Sequence, residues 1–303
     1  MSDLLSPPPE GFRSGSVTLL GPPNAGKSTL LNTLLGEKIS ITSKKPQTTR
    51  NRILGVLHRP ASQMVFLDTP GVHHSTKTMN QRIVSAAIAT LTEADLVVLL
   101  VDMLTRDPDA EGLLLRHLGT VRRPVILALN KTDQCHRHAI LAAIEEWSGR
   151  FDFSAIIPIS ALKGTQINDL LGSMEQQLPP GPPFFPDDSI TDQPVRFIAA
   201  ELIREKAFRL TGEEIPYAVA VTVDEFKTSN AKKKVSIHAT IHVERDSQKG
   251  IVIGKGGAKL KEIGTAARGD IERLLGMRVF LKLFVRVQKN WTRDTKALRR
   301  FGY

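Results

Sequence analysis

The sequence predicts an α/β domain with a mostly parallel sheet, followed by a smaller α+β domain. Three observations lead to this fold class. Short, continuously apolar segments alternate with helical patterns through residues 12–181, as in parallel strands that are covered by helices on both faces. A proline-rich stretch, "LPPGPPFFPDDSITDQP", follows at 178–194. Beyond it, apolar and polar residues alternate in the manner of strands with one exposed face.

Each predicted element follows from its local pattern. In the first domain we predict strands at 16–20, 53–58, 63–67, 96–101, 125–129 and 156–159, and helices at 27–35, 80–91, 110–118, 138–147 and 167–177. The prolines of 182–195 exclude helix interiors and central strands, so this segment is predicted to be a semi-rigid linker. Residues 196–303 are predicted to form the second domain, with a helix at 197–210, strands at 218–226 and 235–245, a helix at 259–275 after a glycine loop, and a strand at 279–287.

Charge is distributed unevenly along the chain. Residues 1–195 contain 18 Lys and Arg against 19 Asp and Glu, whereas residues 196–303 contain 23 against 12. An excess confined to one domain indicates an anionic partner for that domain. The single cysteine, Cys135, excludes a disulfide framework and favours an intracellular protein, and no signal or membrane-spanning pattern is visible. We therefore expect a cytoplasmic protein that is at most peripheral to a membrane.

The first glycine loop, "GPPNAGKST" at 21–29, fits the pattern G-x-x-x-x-G-K-[ST] between a strand and a helix. Glycines allow backbone N–H groups to converge on phosphates at a helix N-terminus. Lys27 can reach the β- and γ-phosphates, and the Ser28 hydroxyl can bind Mg²⁺. The predicted phosphate-binding residues are Gly21, Pro22, Pro23, Asn24, Ala25, Gly26, Lys27 and Ser28.

A second motif, "NKTD", directly follows the strand at 125–129 and indicates which base is bound. The Asp133 carboxylate can accept from N1–H and the 2-amino group of guanine, which adenine does not offer. A backbone N–H of Ser160 or Ala161 could meet guanine O6. The predicted guanine-binding residues are Asn130, Lys131, Thr132, Asp133, Ser160 and Ala161.

Two further segments suggest a switch that responds to the γ-phosphate. Asp68 of "DTPG" suits a role beside Mg²⁺, and the Gly71 N–H could sense the γ-phosphate. A threonine of "QTTR", Thr48 or Thr49, could close over Mg²⁺, and we assign Thr49 to the metal together with Ser28 and Asp68. The remaining residues assigned to GTP here are Thr69, Pro70 and Val72.

The catalytic residues that we predict are Lys27, Asn24, Thr49 and Gly71. Val72 stands where Ras-type GTPases place a water-orienting glutamine, so unaided hydrolysis should be slow. Asn24 could bind K⁺ near the bridge between the β- and γ-phosphates, where a cation would supply positive charge; alternatively it only shapes the loop.

The second glycine loop, Gly254-Lys255-Gly256-Gly257, lies between two helical segments and lacks the G-K-[ST] ending. It matches the G-x-x-G loop of a KH domain, which clamps the backbone of a single strand. The nearby apolar residues Ile251, Val252, Ile253 and Ile263 would form either a platform for bases or the local core. The predicted RNA-binding residues are Ile253, Gly254, Lys255, Gly256, Gly257, Lys259, Lys261 and Lys289.

The C-terminal segment, "RVQKNWTRDTKALRRFGY", mixes cations with Trp291, Phe301 and Tyr303. Such a mixture suits stacking on single-stranded nucleic acid. A tail that packs back on its own domain and attraction to an anionic membrane are the two alternatives.

In combination, these motifs resemble the Era family of bacterial GTPases with a C-terminal KH domain. The resemblance spans residues 16–303 and includes "GPPNAGKST", "QTTR", "DTPG", "NKTD", "ISA", "VERDSQKGIVIGKGG" and "FGY". It implies a P-loop GTPase domain and a type II KH domain. It also implies binding near the 3′ end of 16S ribosomal RNA during small-subunit assembly, and a cytoplasmic location with peripheral association with the inner membrane.

The leading hypothesis is therefore a GTPase that binds GTP and GDP with Mg²⁺ and whose nucleotide state governs RNA binding; we expect a monomer. The alternatives are an RNA-binding protein with a purely structural nucleotide site and a membrane-attached signalling GTPase.

Overall fold

The computed structural model describes residues 11–42, 53–68, 91, 93–211, 219–229, 233–294 and 301. The chain divides into two compact units. The first comprises Met1–Ser40 and Arg52–Asp192, and the second comprises Ile41–Asn51 and Gln193–Tyr303. The predicted helix at 80–91, apart from Leu91, lies outside the described residues.

The first unit contains a six-stranded sheet in its described part. The strands are β1 (Arg13–Leu20), β2 (Ile53–Arg59), β3 (Ser62–Asp68), β4 (Leu96–Asp102), β5 (Val125–Asn130) and β6 (Ala155–Pro158), in the order β2-β3-β1-β4-β5-β6. Only the β2–β3 hairpin among these strands is antiparallel. Every residue of β3, β4 and β5 is buried, as the continuously apolar segments predict for strands covered on both faces.

The described helices of this unit are α1 (Lys27–Leu35), α2 (Pro108–Leu118), α3 (Arg137–Ser148) and α4 (Ile167–Gln177). Each begins within three residues of the predicted position. Helix α2 shows why: the Asp107 carboxylate accepts from the Ala110 N–H at 3.0 Å, and Pro108 occupies the first helical position. Both features favour a helix start at this point in the sequence.

Much of the segment predicted as a linker is held against the edge of this sheet. The Gln63 side chain accepts from the Phe184 N–H at 2.6 Å and donates to the Phe185 carbonyl at 2.7 Å. The Val56 N–H of edge strand β2 donates to the Ile190 carbonyl at 2.8 Å. The segment therefore covers an open sheet edge, and the first unit extends to Asp192.

The second unit has the predicted order of helix, two strands, two helices and strand. Its elements are α5 (Val195–Leu210), β7 (Ala220–Ser229), β8 (Lys234–Val243), α6 (Asp246–Ile253), α7 (Ala258–Leu275) and β9 (Arg278–Val287). The sheet order is β7-β8-β9, with β7 antiparallel and β9 parallel to β8. The apolar residues of β8 alternate inward and build the core: Val235, Ile237, Ala239, Ile241 and Val243.

Candidate nucleotide site and nucleic-acid interface

The first glycine loop joins β1 to α1, and its shape depends on two glycines. A Cβ at Gly21 would lie 2.4 Å from the Leu100 carbonyl oxygen, and a Cβ at Gly26 would lie 2.2 Å from Asn130 Nδ2. Gly26 has φ 104° and Asn24 has φ 63°, conformations that L side chains rarely adopt. The loop is therefore packed tightly against the ends of β4 and β5.

Lys27 is buried at the start of α1. Its Nζ donates to the carbonyl oxygens of Gly21 and Pro22, both at 2.9 Å. Burial lowers the pKa of the ammonium to about 8, and the nearby Asp68 carboxylate only partly opposes this change. The lysine side chain therefore lies against the backbone carbonyl groups of the first glycine loop.

The Asp68 carboxylate, at the end of β3, lies beside the Ser28 hydroxyl. Its Oδ2 accepts from Ser28 Oγ and from Ser40 Oγ, both at 2.8 Å. Its Oδ1 is buried without a hydrogen-bond partner among the described atoms, and burial raises the pKa of the carboxyl group. A buried oxygen of this kind, next to a hydroxyl, suits Mg²⁺, which prefers hard oxygen ligands. These residues therefore fit the predicted metal.

Ser40 was not predicted from the sequence. It is completely buried, and the Asn32 side chain of α1 holds its backbone. Asn32 Oδ1 accepts from the Ser40 N–H at 2.9 Å, and Asn32 Nδ2 donates to the Ser40 carbonyl at 2.7 Å. No motif in the sequence marks this pair, because a serine before a loop is common.

Asn130, at the end of β5, connects the first glycine loop to the loop after β6. Its Nδ2 donates to the Ala25 carbonyl at 2.7 Å, and its Oδ1 accepts from the Ala161 N–H at 2.9 Å. The side chain is almost completely buried. Asn130 therefore acts as a bridge within the protein that fixes the two loops relative to each other.

Asp133 is exposed, and its Oδ1 accepts from Ser160 Oγ at 2.7 Å. This contact orients the carboxylate that was predicted to receive guanine, and Thr132 begins the 3-10 turn that contains it. The two backbone N–H groups that were predicted to meet guanine O6 have partners within the protein. The Ser160 N–H donates to the Thr165 carbonyl and the Ala161 N–H to Asn130, so both donors are already used within the protein.

Lys131 has a left-handed backbone, φ 71°. Its Nζ donates to Asp102 Oδ2 at 2.5 Å. Asp102 ends β4 directly beside Asn130 in the sheet register and was missed from the sequence. Its position at the carboxyl end of a buried strand is a signal that could have found it.

Thr49, Thr69, Pro70, Gly71 and Val72 lie outside the described residues. Of the predicted switch motifs, the structure thus places only Asp68.

The second glycine loop joins α6 to α7. Three of its glycines have left-handed backbone: Gly254 with φ 70°, Gly256 with φ 60° and Gly257 with φ 81°. A Cβ at Gly254 would lie 2.6 Å from Lys259 Cβ. The side chains of Lys255 and Lys261 are exposed, whereas Lys259 Nζ bonds Glu262 Oε2 at 2.8 Å.

The sequence left two alternatives for the apolar residues near this loop, a platform for bases or the local core, and the structure divides the residues between them. Val252 and Ile263 are completely buried in the core, while Ile251 and Ile253 are half-buried. An open groove of about 440 Å³ lies next to the loop, between α7 and the edge strand β9. Its lining residues are Gly257, Leu260, Lys261, Gly264, Thr265, Arg268, Leu281, Lys282 and Leu283. Only Gly257 and Lys261 of these were predicted.

The described part of the C-terminal segment packs back on the second unit. Trp291 and Phe301 are buried, with ring centroids 5.1 Å apart, and Phe301 lies 4.6 Å from the His242 ring. Of the three predicted roles, the structure therefore supports packing for these two aromatic residues. Lys289 is exposed.

The fold and the two glycine loops together define a GTP-binding protein that carries a KH domain. A family model described as "50S ribosome-binding GTPase" matches residues 16–131, and a KH domain model matches residues 214–292. GTPase Era of Geobacter metallireducens is 51% identical over 292 residues, which cover 96% of this chain and 98% of that protein. GTPase Era of Syntrophus aciditrophicus is 47% identical over 96% of this chain and 95% of that protein. The chain belongs to the Era family of GTPases.

Two solved structures are also similar. An Aquifex aeolicus Era variant bound to GDP.AlF4- superimposes with a TM-score of 0.91 at 41% identity and covers 96% of this chain and 99% of that one. The same values describe an Era in complex with MgGDPNP and nucleotides 1506–1542 of 16S ribosomal RNA. Within the described ranges, no helix combines the length and the apolar character needed to cross a bilayer.

Proposed function

We propose that this GTPase is a switch that binds single-stranded 16S ribosomal RNA near its 3′ end and assists assembly of the small ribosomal subunit. One observation carries the proposal: the open groove beside the second glycine loop. The similar Era complex also supports the proposal, because the RNA bound in it is nucleotides 1506–1542 of 16S ribosomal RNA.

The groove has the chemistry that a single strand requires. Leu260, Leu281 and Leu283 provide apolar surface for bases, while Lys261 and Arg268 provide positive charge at its rim. Gly264 lies where a Cβ would already be in contact with the Leu283 side chain at 3.4 Å, so the glycine keeps the groove open. At Gly256 and Gly257 no atom lies within 4 Å of where a Cβ would be, so the loop backbone is open to phosphates of the kind that G-x-x-G loops of KH domains clamp.

Gly257→Asp in the full chain tests this site. The new carboxylate would face backbone phosphate, so affinity for an RNA oligonucleotide with the 3′-terminal sequence of 16S should fall at least about tenfold. Gly276→Asp is a matched control, because Gly276 also has a left-handed backbone with no atom near its Cβ but ends α7. Equal RNA affinity of the two variants would place the RNA elsewhere.

For the nucleotide site, we infer that Lys27, Asn24, Thr49 and Gly71 act in hydrolysis and that Ser28, Thr49 and Asp68 hold Mg²⁺. Bound Mg²⁺ supplies positive charge beside the phosphates. The Ser28–Asp68 pair and the unpartnered Asp68 Oδ1 support this metal assignment. Ser28→Ala should increase the Mg²⁺ concentration needed to slow GDP release, and an unchanged requirement would contradict it.

We infer further that Asp133 selects guanine, with Asn130, Lys131, Ser160 and Ala161 shaping the loop around it. Asp133→Asn should shift the preference of the protein from GTP toward xanthosine triphosphate, because the amide can accept from N1–H and donate to the 2-oxo oxygen that xanthine has in place of the 2-amino group. A variant that binds GTP with the affinity of the parent would refute this base contact.

K⁺ is proposed as an activator that binds near Asn24. The Asn24 side chain is exposed at a left-handed position in the phosphate loop, so its amide oxygen is free of burial and could bind a cation beside the nucleotide. GTP hydrolysis should be faster in K⁺ than in Na⁺ at equal ionic strength, and Asn24→Ala should abolish the difference. Equal rates for the parent in both salts would discard the proposal.

We propose, finally, a cytoplasmic monomer with peripheral association with the inner membrane. The excess of basic residues in 196–303 supports attraction to anionic lipid. Light scattering tests whether the protein is a monomer. Cosedimentation with phosphatidylglycerol vesicles tests whether it associates with anionic lipid. GTP turnover with RNA or with vesicles separates the proposed RNA-dependent switch from a membrane signalling role: only the former predicts a response to RNA.

A further inference from the structure

The outer face of the second sheet, away from its helices, carries an exposed pattern of rings and cations. On β9 the residues that point to this face are Arg278, Phe280, Lys282, Phe284 and Arg286. We name these five residues the β9 stripe. Phe280 is 47% exposed and Phe284 is 45% exposed, so neither ring is buried in the core of the second unit. Side chains on one face of a strand lie about 6.6 Å apart. Cations and aromatic rings alternate at this spacing along the stripe.

The cations of the stripe are not neutralised by the protein. Within the described ranges, no carboxylate lies within ion-pair distance of Arg278, Lys282 or Arg286. The carboxylates that β7 presents to this face are Asp224 and Glu225, and both are engaged: Glu225 pairs with Lys227 at 3.0 Å, and Asp224 Oδ2 accepts from Thr240 Oγ1 at 2.6 Å. The side chains that β9 itself presents to this face are thus either cationic or aromatic.

Ammonium groups already lie over both exposed rings. Lys234 Nζ is 5.4 Å from the Phe280 ring centroid, and Lys282 Nζ is 5.1 Å from that of Phe284. On the neighbouring strand β8, Ser236, His238 and Thr240 face the same side, opposite Phe280, Lys282 and Phe284 in register. The face therefore combines rings and cations on β9 with polar side chains on β8, of which Thr240 already donates to Asp224 and His238 Nδ1 lies 3.7 Å from Glu225 Oε2.

An open pocket of about 570 Å³ adjoins one end of the stripe. It is lined by Thr240, Asp246, Lys249, Phe284, Val285, Arg286 and Val287. Near His242, beyond this pocket, the buried rings of Phe301 and Trp291 pack against the sheet.

We propose that the β9 stripe is a second binding surface for single-stranded nucleic acid, distinct from the groove between α7 and β9. Aromatic rings interleaved with cations bind bases by stacking and phosphates by charge, with little dependence on sequence. An apolar protein partner is disfavoured, because cations interrupt the two rings and lysine is depleted from the centre of protein interfaces. A strand that occupies the groove could continue around the edge of β9 onto this face.

The test uses the full chain and fluorescence anisotropy with a short labelled oligouridylate at low salt. The double variant Phe280→Ala/Phe284→Ala should lower affinity at least about tenfold, because each ring supplies stacking. Phe184→Ala is the matched control, since Phe184 is 59% exposed in the first unit. The measurement is made both in the parent and in Gly257→Asp, so the loss should appear in both backgrounds. Ring variants that bind RNA as tightly as the control in both backgrounds would overturn the proposal.

Two further measurements keep the outcome clear. Arg278→Ala/Arg286→Ala should reduce the slope of log affinity against log salt by about 1.4, that is, by two phosphate contacts; an unchanged slope would count against the stripe. If the ring variants lose binding to phosphatidylglycerol vesicles but keep RNA binding, the surface binds lipid and the proposal is overturned. If the groove between α7 and β9 does not bind RNA, Gly257→Asp alone should leave the RNA affinity unchanged, whatever the ring variants do.

Discussion

The buried ammonium of Lys27 should make the stability of the nucleotide-free protein depend on pH. Burial lowers its pKa from 10.5 to about 8 in the folded protein, while the unfolded chain keeps the ordinary value. Between these two values the unfolded state binds more protons than the folded state, so stability increases with pH. Each pH unit in this window adds about 1.4 kcal/mol, and the interval from pH 8 to about pH 9.5 therefore adds about 2 kcal/mol.

Lys27→Met removes this contribution. The free energy of unfolding of the parent, minus that of the variant, should therefore increase by about 2 kcal/mol from pH 8 to about pH 9.5. Other groups that titrate in this interval cancel in the difference. The assay is urea denaturation without nucleotide, followed by tryptophan fluorescence. A Trp291→Phe background leaves Trp147, completely buried in the first unit, as the reporter.

Lys163→Met is the control, because Lys163 is exposed and its loss should leave the pH profile unchanged. Parallel profiles for the parent and Lys27→Met would refute the reasoning, since they would mean that burial does not disfavour the charged form. The same variant should bind GTP roughly tenfold or more weakly, because we infer that the ammonium bonds phosphate oxygens of the nucleotide.

Three other substitutions probe the contacts around the phosphate loop. Asn130→Ala leaves the Ala25 carbonyl and the Ala161 N–H without their partner, so urea denaturation should show a loss of about 2–4 kcal/mol. Gly26→Ala forces a methyl group against Asn130, and calorimetry should show GTP affinity reduced about tenfold or more. Ser40→Ala removes one of the two hydroxyls that orient Asp68, so slowing of GDP release should require more Mg²⁺, by roughly a few-fold.

Each of these variants has a matched control in the chain. Asn168→Ala changes an exposed asparagine and should not affect stability. Gly164→Ala strains a backbone with φ 73° where no atom lies near the Cβ, so it separates backbone strain from the clash at Gly26. Ser148→Ala removes an exposed hydroxyl. A variant that behaved like its control would show that the corresponding contact has no energetic role.

Most of the architecture could be predicted from sequence, because it depends on short-range patterns. Continuous apolar runs in β3, β4 and β5 require burial on both faces, and alternating residues in β8 require one buried face. The two glycine loops are contiguous motifs, so their residue types and spacing are visible without the fold. The predicted elements therefore agree with the structure within a few residues wherever residues are described.

The sequence by itself determined the order of elements and the positions of the two loops, because periodicity and motif spacing act over a few residues. Only the tertiary structure decided which distant side chains meet. Ser40 reaches Asp68 across 28 residues and Lys131 reaches Asp102 across 29. Likewise, packing of α7 against β9 brings Leu260 and Leu283 into one groove. These contacts depend on strand order and helix packing, which local patterns do not specify.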